Sequence, residues 1–131
     1  MDHKTLSLVS LTMVIFLATA CNSSNHITLT AADKGSQVDV KVGGLIDISL
    51  ESNPSTGYTW EAQDLDTTMF EQLDDPVFRS SNPNLIGSGG ILTLTFKVLK
   101  AGTTSLTLVY HRPWETNVDP NDSFTVTLTV K

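Results

Sequence analysis

The sequence predicts an all-β fold: an immunoglobulin-like antiparallel β-sandwich of about seven or eight strands, with no disulfide. Three observations carry that expectation. From Ile27 onward apolar and polar residues alternate with period two, the pattern of strands with one buried and one wet face. Turn signals rich in glycine, asparagine and proline separate the alternating runs. Finally, that number of short strands fits into the roughly 105 residues that follow, with Trp60 on the third or fourth of them.

The runs can be taken in order. Val38, Val40 and Val42 alternate with Asp39 and Lys41; Ile46, Ile48 and Leu50 with Asp47, Ser49 and Glu51. Leu92, Leu94, Phe96 and Val98 alternate with Thr93, Thr95 and Lys97, and Leu106, Leu108 and Tyr110 with Ser105 and Thr107. Phe124, Val126, Leu128 and Val130 form the last run, against Thr125, Thr127 and Thr129. Each reads as a half-buried antiparallel strand, and the many threonines suit a pleated, solvated face. Turns are expected at Gly43-Gly44, Asn53-Pro54, Asn82-Pro83, Gly87 to Gly90, Ala101-Gly102 and Asp119-Pro120-Asn121. Residues 64–73 carry a capping-box spacing in Thr68 and Glu71, but the stretch is short and reads as irregular or as the start of a strand. The adjacent Asp74 and Asp75 read as a solvated turn. Trp60 is assigned to the core, whereas Tyr58 shares its parity but opens its strand, which leaves it open as core or contact.

Composition narrows the function. The chain has 131 residues, enough for one domain, and a net charge of -6. An acidic surface repels phosphate backbones, so nucleic acid is excluded as a partner. A single cysteine allows no intrachain disulfide. Lys4, the uncharged run Leu6 to Ala20 and the small residues Ala18 and Ala20 before Cys21 resemble a bacterial lipoprotein signal, although the leucine usual three residues before the cysteine stands here at Leu17, four before it. Residues 1–20 are therefore expected to be a lipoprotein signal peptide, and residues 21–26 an acylated Cys21 with a short tether. Residues 27–131 are expected to be the folded domain, a monomer. The resemblance implies a bacterial cell-envelope protein held to the membrane by lipid on Cys21, periplasmic or surface-exposed, with a secreted soluble form as the alternative.

Catalytic chemistry is screened out by inventory. His3 leaves with the signal, so His26 and His111 are the remaining histidines, and no metal site is expected. Gly87-Ser88-Gly89 lacks the spacing and the strand-to-helix setting of a nucleophile elbow. Asp74 and Asp75 are adjacent, which is the wrong separation for a glycosidase pair. The chain is read as no enzyme, without catalytic residues and without a cofactor.

Three connections are left over from this strand and turn logic. Asn53-Pro54-Ser55-Thr56-Gly57-Tyr58 is stiffened by Pro54 and permitted a positive φ at Gly57. Leu85-Ile86 precede Gly87-Ser88-Gly89-Gly90, where missing side chains let another backbone come close. Arg112-Pro113-Trp114-Glu115 places a tryptophan in a polar loop. All three follow alternate strands, so they gather at one end of a sandwich. The combination N-P-[ST]-T-G-Y, G-x-G-G and R-P-W, in this order over nearly all of Ile27 to Lys131, resembles the chagasin family of cysteine peptidase inhibitors; Ser55 stands where that family usually has threonine.

That resemblance implies a reversible, competitive wedge inhibitor whose partner is a papain-like cysteine protease. Loop 53–58 would enter the middle of the active-site cleft, with Ser55 and Thr56 beside the catalytic groups. Gly87, Ser88, Gly89 and Gly90 would pair through their backbone on the unprimed side, with Leu85 or Ile86 near the apolar specificity pocket. Trp114, carried by Arg112 and Pro113, would stack on aromatic groups of the primed side. The alternative is a non-inhibitory immunoglobulin-like adhesion or assembly module of the envelope.

Overall fold

The computed structural model describes residues 25–131, and the expected signal peptide and Cys21 lie outside them. Eight strands form: β1 (His26–Thr30), β2 (Gln37–Val40), β3 (Leu45–Ser52), β4 (Thr59–Gln63), β5 (Phe70–Ser80), β6 (Gly90–Val98), β7 (Gly102–His111) and β8 (Asp122–Val130). They make two four-stranded sheets, the first ordered β1-β3-β6-β5 and the second β2-β8-β7-β4. The predicted sandwich is thus observed, with short 3-10 turns at Ala31–Asp33 and Pro54–Thr56.

The period-two runs produce this arrangement directly. Ile46, Ile48, Leu94, Phe96 and Val98 of the first sheet face Leu106, Leu108, Phe124, Val126 and Leu128 of the second, and all are buried. Burying such a side chain contributes roughly 1.5–3 kcal/mol each. Trp60 lies within this cluster, as expected. On the outward faces hydroxyls meet across strands, with Ser49 and Thr93 2.8 Å apart and Thr107 and Thr125 3.1 Å apart.

Four details depart from the sequence reading. β1 and β2 run parallel to β3 and β8, not antiparallel, because the chain switches sheets through residues 31–36 and lays each early strand beside a neighbour of the same direction. Alternation reveals which face of a strand is buried, not which way its neighbour runs. His26, expected to end the tether, is the first residue of β1 and pairs with Leu45. Asp74 and Asp75 are not a turn between strands: they sit inside β5 at a register shift between Leu73 and Val77, with Asp74 at φ 55°. Val42, read with Val38 and Val40, lies past the end of β2 and is exposed.

Candidate functional site

The connections β3–β4, β5–β6 and β7–β8 leave the same end of the sandwich, and each is shaped by its own residues. In the first, Asn53 is the hub. Its carboxamide oxygen accepts the Ser55 N–H at 3.2 Å and the Ser55 hydroxyl at 2.6 Å, while its carbonyl accepts the Thr56 hydroxyl at 2.6 Å. Pro54 occupies the first position of the 3-10 turn, where a missing N–H costs nothing, and Gly57 closes the turn at φ 81°. The tip residues Pro54, Ser55 and Thr56 are exposed.

The second connection is tied to itself. The Ser81 N–H and hydroxyl both donate to the Gly89 carbonyl, at 3.0 and 2.7 Å, and the Ser88 hydroxyl donates to the Asn82 carbonyl at 3.0 Å. Gly87 turns at φ 78°. Leu85 and Ile86 project from the loop, Ile86 fully exposed. Gly90, read as a loop residue, is already the first residue of β6, and a side chain there would overlap the Arg79 carbonyl oxygen. In the third connection Pro113 and Trp114 are exposed, Trp114 at 69% against 5% for Trp60, so the two tryptophans divide between edge and core as the sequence suggested.

Bonds between loops lock the three together. Asn53 Nδ2 donates to the Gly87 carbonyl at 3.2 Å, joining the first loop to the second. Arg112 Nε donates to the Thr56 carbonyl at 3.0 Å, joining the third to the first. The Trp114 ring lies against Gly57, where any side chain would overlap it. Arg112 also reaches Glu115, Nη1 to Oε1 at 3.4 Å, and its guanidinium stands 4.5 Å above the Tyr58 ring. A cation over an aromatic face is favourable even at a partly exposed site.

Beneath the edge runs an aromatic stack that the sequence reading missed in part. Tyr110 lies between Trp60 and Tyr58, its ring centroid 5.0 Å from the first and 5.3 Å from the second. Tyr58, left open above as core or contact, is partly buried against Tyr110 and capped by Arg112. The Tyr110 hydroxyl accepts the Asn53 N–H at 3.0 Å, and Trp60 Nε1 donates to the Glu51 carbonyl at 2.9 Å. These two bonds satisfy a backbone group of Glu51 near the end of β3 and one of Asn53 just past it, beyond the Thr30–Ser49 pair where the pairing with β1 ends. One signal pointed to Tyr110: it shares the inward parity of Leu106 and Leu108, and a phenol placed inward needs a polar partner.

The assembled edge is an interlocked wedge of backbone and small side chains with three apolar projections, Leu85, Ile86 and Trp114. Of the site residues expected from the sequence, Asn53, Ser55, Thr56 and Arg112 spend polar groups on bonds within the edge itself.

Comparison with known proteins places this geometry. The family described as Chagasin family peptidase inhibitor I42 matches residues 39–128. Amoebiasin-2 of Entamoeba histolytica is 34% identical over 121 residues, covering 89% of this chain and 97% of its own. Chagasin of Trypanosoma cruzi is 33% identical over 106 residues, covering 76% and 94%. The crystal structure of a cysteine protease inhibitor from Entamoeba histolytica superposes with a TM-score of 0.69 at 30% identity, over 81% of this chain and 95% of that one.

Proposed function

The chain belongs to the chagasin family of peptidase inhibitors, and we propose that it inhibits papain-like cysteine proteases reversibly and competitively by wedging loops 53–58, 87–90 and 112–115 into the active-site cleft. The observation that carries this reading is the interlocked edge: three loops from three strand pairs are bonded to one another, so the surface is formed before the partner arrives. Docking a preformed surface loses little conformational entropy, and an exposed tryptophan at its end is the usual anchor of a tight interface.

Each loop has a distinct part in this reading. The uncharged tip Ser55-Thr56 fills the narrow centre of the cleft, where a charge would be desolvated without a partner. The Ser55 hydroxyl and N–H are both bonded to Asn53, which stiffens the tip, and a stiff loop need not be cleaved, because it can fill the cleft without presenting a carbonyl in line with the thiolate. Gly87, Ser88 and Gly89 offer main-chain groups on the unprimed side, Leu85 and Ile86 their apolar side chains, and Trp114 stacks on the primed side. The membrane is a second partner in the same proposal, through acyl chains on Cys21, with the inhibitor domain displayed at the cell envelope.

Steady-state inhibition of papain and of a cathepsin L-like protease by purified Cys21→Ser protein tests the inhibitory part, with trypsin as a control. Competitive inhibition of the cysteine proteases alone is expected; none at micromolar concentration by a folded sample would overturn it. Mass spectrometry of the protein from its native membrane tests the anchor, and an unmodified Cys21 would remove it.

A further inference from the structure

Among the described residues nine large apolar side chains stand exposed, and five of them crowd one corner: Val77, Phe78, Leu85, Ile86 and Ile91, on β5, β6 and the loop between them. Leu85 and Ile86 belong to the loop already assigned to the cleft. Val77 and Ile91 do not. They point away from the core, because the intervening Phe78 pairs with the buried, inward Leu92. Their exposures are 54% and 41%. Ile91 lies between Arg79 on β5 and Glu51 on β3, one rung behind the Ser80–Gly90 pair from which the second loop springs.

Arg79 distinguishes this corner electrostatically. Lys34, Arg112 and Lys131 are each paired with a carboxylate. Lys41, Lys97 and Lys100 lie at the other end of the sandwich, near the start of β3 and the end of β6. Among the described residues Arg79 is the cation at the loop end without an ion pair, on a chain of net charge -6. β5 is also an edge strand, and the devices that discourage pairing along an edge, the register shift and Pro76, stop short of Val77–Ser80.

We propose that Val77, Arg79 and Ile91 form an exosite that contacts the protease outside its cleft, on a surface flanking the unprimed end that carries both carboxylates and apolar side chains. The inference rests on the reading of the loop edge as the protease-binding surface, and the corner is continuous with it through the Ser80–Gly90 rung. Arginine among apolar neighbours is enriched at protein interfaces, and its charge meets a carboxylate bidentately. The cleft-binding loops make general contacts of backbone and small side chains, while the exosite reads a surface that differs between proteases sharing one cleft.

The test compares Arg79→Glu, Arg79→Gln and the double variant Val77→Thr with Ile91→Thr, all on exposed strand positions where the replacement keeps the strand. Thermal melting checks that each is folded. For a cathepsin L-like protease with an acidic surface beside the unprimed subsites, Arg79→Glu is expected to raise the inhibition constant about tenfold, chiefly through slower association with a flatter salt dependence. Arg79→Gln should show a smaller rise in the same direction, and the double variant about a fivefold rise through faster dissociation. Unchanged constants in all three, with the wild type inhibiting normally, would overturn the exosite while leaving the wedge intact. A wild type that inhibits nothing would take both down. Sedimentation showing a wild-type dimer dispersed by these same substitutions would reassign the corner to a second copy of the chain and overturn the proposal.

Discussion

The hydroxyl of Tyr110 accepts the backbone N–H of Asn53 at 3.0 Å, so a side chain of the second sheet holds the first residue of a loop that leaves the first sheet. Asn53 in turn holds Ser55, Thr56 and Gly87. The edge is thus tied to the core through Tyr110. Tyr110→Phe keeps the ring in its stack and removes only the acceptor. It should cost about 1 kcal/mol of stability in urea denaturation. It should also weaken protease inhibition, although Tyr110 lies behind the tip.

Gly57 stands at φ 81° with the Trp114 ring against it. Gly57→Ala meets both obstacles, a left-handed backbone and an occupied space, so either the turn or the indole must move. Roughly 1 kcal/mol or more should be lost from the backbone conformation alone. The inhibition constant should rise more than the stability falls, because two loops are displaced together, and amide NMR shifts should change in both 53–58 and 112–115.

The two tryptophans should separate stability from binding. Trp60→Ala empties a buried site and loses the bond to Glu51, a change expected to cost about 3–5 kcal/mol in denaturation. Trp114→Ala should leave the melting temperature nearly unchanged and weaken inhibition by at least about 1 kcal/mol. Equal losses of stability would contradict the division of core and edge.

At the tip, Ser55→Arg and Thr56→Glu should abolish inhibition by a well-folded protein, since neither side chain finds a partner in the cleft. Asp39→Asn and Thr127→Ser, on strands away from the loops, serve as controls and should inhibit like the wild type.

Asp66 is a local source of acid sensitivity. The Thr68 hydroxyl and N–H, at 2.6 and 3.0 Å, hold the Asp66 carboxyl below its ordinary value of 3.8. A carboxylate depressed by folding adds stability above its unfolded pKa and loses it as pH falls through the folded one. Melting between about pH 5 and pH 2 should therefore fall less steeply for Asp66→Asn than for the wild type.

Much of this was legible in the residues. Alternation named the inward side chains of β3, β6, β7 and β8 correctly, because a half-buried strand has no other way to place them. The loop motifs were legible as well: Pro54 has few backbone conformations open to it, Gly57 can enter the left-handed region that other residues avoid, and the turn they imply is the one found. What stayed hidden was long-range. Nothing local in Asn53 tells that its amide nitrogen will find Gly87, or that Arg112 will bond to Thr56 as well as to nearby Glu115. Nor could the exposed length of β5 be read, since its alternation is broken at Asp74–Pro76 by the extra residues of the register shift.

β8, the last strand in chain order, is an inner strand of its sheet, held by β7 on one side and by β2 on the other. Gln37 waits for Thr127, and Val40 for Val130. During synthesis neither the second sheet nor the core it covers can form until nearly the whole sequence has been made. Such distant pairing slows folding. An unfinished chain accordingly cannot close its sandwich, a useful property if it must pass through a membrane pore before it folds on the other side.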